Sequence, residues 1–161
     1  MKKKAVLLIY GSGGHEAQMK RLVNLISVDK SLGFLAISDN ESNSINSVDK
    51  TYFIPPLRDK FTPYQSFYHS IKSILSSIAS SVNIFLNYDV KVIISTGPGI
   101  SIFPTLIGRA LGKKVIFVET WSRFYSKSLA GRVMYFIAND FYVQNKELLS
   151  LYPKAKYGGK L

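Results

Sequence analysis

Ala5-Val6-Leu7-Leu8-Ile9, running straight into Tyr10-Gly11-Ser12-Gly13-Gly14-His15-Glu16, is the stretch whose reading decides the fold. An apolar run empties into a glycine-rich turn, and a helical pattern follows at once. In α/β proteins this order places a buried strand, a tight turn and a helix start in line. Glycines let backbone approach an anion closely, and the unpaired N–H groups and dipole of the helix point at it. The plain alternative is a tight strand-to-helix connection with no ligand. The spacing is not the dinucleotide fingerprint G-x-G-x-x-G, because Glu16 or Ala17 stands where the last glycine belongs. It is not a Walker loop either, since no Gly-Lys-Ser/Thr follows.

With 161 residues, 47% of them hydrophobic, the chain suits one well-buried domain, predicted here to span 1–161. The absence of cysteine excludes disulfides, thiolate catalysis and cysteine-ligated metal. Two histidines, His15 and His69, are too few for a histidine-rich site, so neither metal nor cofactor is predicted. The net charge of +11 calls for an anionic partner: nucleic acid, a membrane surface, or an acidic or phosphorylated substrate. Outside Lys2-Lys3-Lys4 and Lys113-Lys114 the cations are dispersed, and no arginine-rich arm or RNA-binding signature accompanies them. A membrane surface therefore ranks above nucleic acid, which is not expected as a partner. No segment reaches the roughly 18 uninterrupted apolar residues of a spanning helix.

Further along, Met19, Leu22, Val23 and Ile26 recur at helical spacing, with Lys20, Arg21 and Asn24 facing out. Gly33–Ser38 and Thr51–Ile54 read as strands, separated by a polar loop over 39–47 and ended by Pro55-Pro56. Residues 57–64 read as a loop whose Arg58, Lys60, Phe61 and Tyr64, together with the end of the helix that follows, offer a membrane contact. From Phe67 to Leu86 the apolar residues Phe67, Ile71, Ile74, Leu75, Ile78, Val82, Phe85 and Leu86 form a helical stripe opposite an almost all-serine face. That stripe is expected to pack on the sheet, leaving the serines to solvent. Val90–Ser95 is a strongly β-branched strand that empties into a second glycine-rich turn, Thr96-Gly97-Pro98-Gly99. Ser101 is placed to cap the next helix, with its stripe at Phe103, Leu106, Ile107, Ala110 and Leu111, and Gly112 ends it. The strand Lys113–Val118 delivers Glu119-Thr120-Trp121-Ser122-Arg123 to the same edge. A helix over 128–138, a strand over 140–143 and a short helix over 145–152 complete an alternating β/α order. That order predicts an α/β, Rossmann-like, mainly parallel sheet with helices on both faces. Ligands of such sheets gather at the carboxyl ends of the strands, where the three loops share a rim.

The chemistry on that rim is limited. No G-x-S-x-G elbow supports a nucleophilic serine, and only Glu16 and Glu119 supply carboxylates. Backbone amides, hydroxyls, one histidine and Arg123 suit a diphosphate or sugar-phosphate. His15 could take a proton from a hydroxyl, or simply bond a neighbouring strand end. Glu119 could hold a sugar hydroxyl or pair with Arg123. Trp121 is either an exposed binding aromatic or buried against a helix.

Taken in order, Gly11-Ser12-Gly13-Gly14-His15, Ser95-Thr96-Gly97-Pro98-Gly99, Val118-Glu119-Thr120-Trp121-Ser122-Arg123, Asp140-Phe141-Tyr142-Val143-Gln144, Leu151-Tyr152-Pro153-Lys154 and Tyr157-Gly158-Gly159 resemble a known family over essentially the whole chain. It is the asparagine-linked glycosylation protein 14 group, with its bacterial PssD-like relatives in capsule and exopolysaccharide assembly. The resemblance implies the N-terminal half-domain of a MurG-type GT-B glycosyltransferase. It implies a subunit inactive by itself that binds a polyprenyl-diphosphate-linked acceptor and recruits a second subunit carrying the UDP-sugar site. Under it, Gly11, Ser12, Gly13, Gly14, Thr96, Gly97, Gly99, Ser122 and Arg123 would bind acceptor or diphosphate, with His15 and Glu119 as the catalytic candidates. Two departures stand out: Glu16 replaces the usual threonine after the histidine, and Met1–Lys4 lead directly into a strand where eukaryotic members carry an anchor. Peripheral contact with an anionic membrane, at the cytoplasmic face, is therefore expected. The alternatives are a non-catalytic membrane adaptor and a stand-alone nucleotide-binding protein.

Overall fold

The computed structural model describes residues 2–26, 32–39, 45–56 and 66–161, with side chains in the long central helix from Ser70 onward. The strands are β1 (Lys3–Tyr10), β2 (Gly33–Ser38), β3 (Lys50–Phe53), β4 (Tyr88–Ser95), β5 (Lys114–Val118), β6 (Asp140–Val143) and β7 (Lys156–Tyr157). They form one sheet in the order β3-β2-β1-β4-β5-β6-β7, every adjacent pair parallel. The helices are α1 (Gly14–Leu25), α2 (Ser66–Asn87), α3 (Ile102–Ala110) and α4 (Leu129–Ile137). This is the α/β, Rossmann-like architecture expected from the alternation of elements. Strand order reverses between β1 and β4, which opens a crevice at their carboxyl ends. Both glycine-rich turns leave from those two strands.

Alternate residues of the central strands feed two cores, as a doubly covered parallel sheet requires. On one face Val6, Leu8, Tyr10, Ala36 and Ile94 meet Met19 and Val23 of α1. On the other, Leu7, Ile9, Ile93, Val115 and Phe117 meet Ile84 of α2, Met134 of α4 and Tyr152. In α1 Met19 and Val23 are buried and Lys20, Arg21 and Asn24 exposed, as its periodicity predicts. Leu22 and Ile26 are only half-buried, however, and Glu16 and Gln18 are buried outside the predicted stripe.

α2 corrects the sequence reading. Ser73, Ser77 and Ser81 are fully buried, together with Ile84, whereas Ile71, Leu75, Ile78, Val82 and Leu86 are exposed. The serine face goes inward because its hydroxyls find backbone acceptors: Ser73 Oγ donates to Pro55 O (2.5 Å) and Ser81 Oγ to Ser77 O (2.6 Å). A buried hydroxyl so bonded costs little, and its small size lets the helix lie close to the sheet. α3 follows the same rule and also departs from expectation. Pro104, Thr105 and Gly108 are buried, while Leu106, Ala110 and Leu111 face out. Ile93 Cδ1 occupies the space a Cβ on residue 108 would need, so only glycine allows this approach. In α4, Ala130, Gly131 and Met134 are buried, and Leu129, Val133 and Phe136 are exposed.

Smaller corrections concern ends. Ser101 does not cap α3; it closes a 3₁₀ turn, Gly99–Ser101, and its side chain makes no capping bond. Ser128 does cap α4, accepting from Gly131 N at 2.8 Å. The short helix expected over 145–152 is a 3₁₀ turn, Lys146–Ser150, and the terminal segment adds the seventh strand. Lys114 and Lys156 both bond Asp140, at 3.1 and 2.5 Å, tying β5 and β7 to β6. Those hydrogen bonds, Lys156 first, hold the Asp140 carboxyl below the usual range. The segment 57–64, read as a membrane-contacting loop, lies outside the described residues.

Candidate functional site at the carboxyl edge of the sheet

β1 and β4 pair through Ile9 and Ser95, so their following turns emerge side by side. The two turns are stitched together by a reciprocal pair of bonds. His15 Nδ1 lies 2.5 Å from Thr96 O, and Thr96 Oγ1 donates to His15 O at 2.9 Å. A carbonyl oxygen can only accept, so Nδ1 is the donor here, and in the neutral ring Nε2 holds the lone pair. Thr96 and Gly97 are buried, and Gly97 has φ +89°, a conformation few side chains adopt. A Cβ there would also fall 2.8 Å from His15 Cε1. The imidazole therefore rests on a turn that only glycine can make.

Gly11 is buried, and a Cβ there would meet both the Pro98 ring and Asp39 Oδ2. Ser12, Gly13 and Gly14 are exposed, and α1 starts at Gly14, so its first amides open onto the rim. Asp39, at the end of β2, accepts from Ser12 N at 2.5 Å. A carboxylate thus already sits on one amide of the first turn, an acceptor that sequence reading did not assign. Gly99 is half-buried at the start of the 3₁₀ turn that leads into α3.

The third loop touches the first through Trp121: its Nε1 lies 3.7 Å from where a Cβ on Gly14 would stand. Trp121 is half-exposed, with the Arg21 guanidinium 4.9 Å above its ring. Ser122 and Arg123 are exposed on this loop. Ser122 Oγ lies 3.1 Å from Thr120 Oγ1, and Arg123 Nη1 donates to Ser126 Oγ at 3.1 Å.

Glu119 is placed differently from the other candidates. It is 1% exposed, and its carboxylate turns beneath the rim. Oε2 accepts from Ser128 Oγ (3.0 Å) and Tyr152 OH (2.8 Å), and Oε1 from Thr120 N (3.0 Å). Burial, with the Glu119 charge behind it, pushes the Tyr152 phenol far above its ordinary pKa, so it stays a donor. The carboxylate therefore fixes the loop root and the α4 N-terminus rather than pairing with Arg123. The loop is held from below by two residues after β6. Gln144 Nε2 donates to Glu119 O (2.9 Å), and Asn145 Nδ2 to Trp121 O (2.8 Å) and Arg123 O (2.5 Å). Asn145 went unassigned in the sequence reading, although its place at a strand end could have marked it.

Beside the rim, on the α1 face, an apolar cavity of about 280 Å³ opens between Leu22, Ile26, Ile94, Ile116, Val118 and Tyr142. Among the described residues no cluster of three metal-ligating side chains occurs, and no helix is long and apolar enough to cross a membrane.

Residues 6–161 match the family described as "Oligosaccharide biosynthesis protein Alg14 like". The chain is 32% identical to the UDP-N-acetylglucosamine transferase subunit alg14 of Schizosaccharomyces pombe, covering 98% of this chain and 83% of that one. It is 27% identical to the human subunit of the same name, over 98% and 82% of the two chains. In three dimensions it is similar to MurG of Acinetobacter baumannii, with a TM-score of 0.61 at 12% identity. The match takes in 99% of this chain but 44% of that enzyme, so the likeness is one of fold and covers less than half of it.

Proposed function

This chain belongs to the Alg14-like family of oligosaccharide biosynthesis proteins, and from that premise we propose that it is the acceptor-side subunit of a two-part UDP-sugar glycosyltransferase. The observation that carries the reading is a pair of joined turns on a chain whose fold corresponds to less than half of MurG. Two glycine-rich turns meet through His15 and Thr96 at the strand-order reversal, on a chain matching 44% of a GT-B enzyme. A second subunit carries the nucleotide-sugar site and closes the cleft. The open apolar cavity beside α1 supports such a partner, since it leaves apolar surface for another chain to cover.

In this reading residues 1–161 form one acceptor-binding domain at the cytoplasmic face of the membrane, attached peripherally to its anionic surface. The acceptor is a polyprenyl diphosphate bearing a sugar, extended in capsular, exopolysaccharide or lipid-linked oligosaccharide assembly. Its diphosphate lies against Gly11–Gly14 and Thr96–Gly99, with Ser122 and Arg123 closing the far side. The acceptor hydroxyl oxygen attacks the anomeric carbon of the UDP-sugar, the bond to UDP breaks, and His15 Nε2 takes the hydroxyl proton. Glu119 works at one remove: it fixes the loop that carries Ser122 and Arg123, so it is a positioning residue here.

A second reading, in which the chain only tethers a fully catalytic partner to the membrane, draws on the inward-turned Glu119 carboxylate. Transfer assayed with both subunits and a lipid-diphosphate acceptor separates the two. His15→Ala is expected to lower kcat by about 10² or more as a lost general base. Unchanged kcat would remove His15 from the chemistry, and a partner fully active alone on a soluble acceptor would establish the tether.

A further inference from the structure

We propose that the outer face of α2, α3 and α4 is the surface by which this chain lies on an anionic membrane, with its apolar residues entering the interface. The proposal deepens the peripheral-membrane reading above and rests on it. Ile71, Leu75, Ile78, Val82 and Leu86 are all exposed, Leu75 and Leu86 at 62% and 65%. At 100° per residue they fall within an arc of about 80°, on a helix about 33 Å long. α3 packs against α2 and α4 against α3, and these add Leu106, Leu129, Val133 and Phe136, the last 86% exposed. Nine exposed apolar side chains gathered on three adjoining helices mark an interaction site.

Charge identifies the occupant. α2, α3 and α4 contain no aspartate or glutamate, and their ionised groups, Lys72, Arg109 and Arg132, are all exposed cations. Apolar side chains interspersed with cations on one face are what an interfacial helix needs at an anionic bilayer. A second copy fits poorly, because it would set Lys72, Arg109 and Arg132 against their own kind on a chain of net charge +11. The face also continues to the rim of the cleft. Tyr125, 82% exposed on the third loop, leads into Leu129 at the start of α4. A lipid tail leaving a diphosphate at the strand ends would meet this surface first.

The test is co-flotation of the full chain with vesicles of equal parts phosphatidylglycerol and phosphatidylcholine. The double variant Leu75→Ser, Leu86→Ser is expected to bind about tenfold or more weakly. Leu25→Ser, an equally exposed leucine on the opposite face, is the control and should bind as wild type. Arg109→Gln with Arg132→Gln should also lose about tenfold, and pure phosphatidylcholine should capture little of any form. Since the chain has no cysteine, a dye on Val82→Cys can report the same event independently of variant folding. Its emission should shift blue on vesicle addition, and a dye on Leu25→Cys should not respond. Wild-type binding that survives the α2 substitutions, or an unresponsive dye at position 82, overturns this face while leaving peripheral binding intact. Absence of any vesicle binding by wild type overturns the membrane reading itself. A dimer in solution that the double variant converts to monomer would assign the face to a second copy instead, against the proposal.

Discussion

On one face of the sheet α1 sends Met19 and Val23 into the core and Lys20, Arg21 and Asn24 to solvent. On the other, α2, α3 and α4 bury serine, threonine, glycine and alanine beside Ile84 and Met134, and present leucine, isoleucine, valine and phenylalanine outward. The first layer packs Met19 and Val23 on the sheet, with Glu16 and Gln18 buried beside them. The second brings its helices close to the sheet through small side chains and hydroxyl-to-carbonyl bonds, and its larger apolar side chains are exposed. Both layers thus contribute core, and only the second also carries a broad exposed apolar face.

The largest expected effect breaks the comparison from the α1 side. Met19 is fully buried against Val6, Leu8 and Tyr10. Met19→Ala should cost about 3 kcal/mol in urea unfolding, the transfer term plus the cavity left behind. A loss well under about 1 kcal/mol would mean that α1 contributes little to the core.

The contrast also explains what sequence reading could reach. For α1, periodicity and hydrophobicity both select Met19 and Val23, so that part of its inward face was legible, as were the first six strands, their parallel arrangement and the convergence of the three loops. The burial of Glu16 and Gln18 was not. For α2 the helical repeat produces two stripes, and periodicity says only which residues share a face. Which stripe enters the core depends on carbonyls supplied by distant segments, such as Pro55 O for Ser73, and on the depth set by Gly108. At the candidate site, the two glycine-rich turns were legible as turns because glycines after a strand end mark them locally. The His15–Thr96 stitch, the Asp39 carboxylate on Ser12 N and the inward turn of Glu119 arise from contacts 27 or more residues apart or from burial, which local pattern does not encode.

A smaller effect sharpens the same contrast inside the second layer. Gly131 sits where α4 crosses the Glu119 network, and a Cβ there would lie 2.6 Å from Tyr152 OH and 2.8 Å from Ser128 Oγ, closer still to Glu119 Oε2. Gly131→Ala gains helix propensity but must displace a buried, fully bonded carboxylate, for a net loss of about 2 kcal/mol. Because the same carboxylate holds Thr120 N, the variant should also raise KM for the acceptor in the two-subunit assay. Unfolding that is unaffected would show the network to be pliable and remove Glu119 as the anchor of the third loop.

The smallest effect is the most informative. Leu75→Ala removes a large apolar side chain from the middle of a 22-residue helix, a change that on α1 would be costly. Here the side chain is already 62% exposed, so little burial is lost, and alanine is the better helix former. Unfolding free energy should stay within about 0.5 kcal/mol of wild type. The same substitution should weaken capture by anionic vesicles, separating stability from docking at one residue. A loss of about 2 kcal/mol would instead mean that some part of the chain covers Leu75 in solution. The α2 stripe would then be core, and the two faces of the sheet would obey the same rule after all.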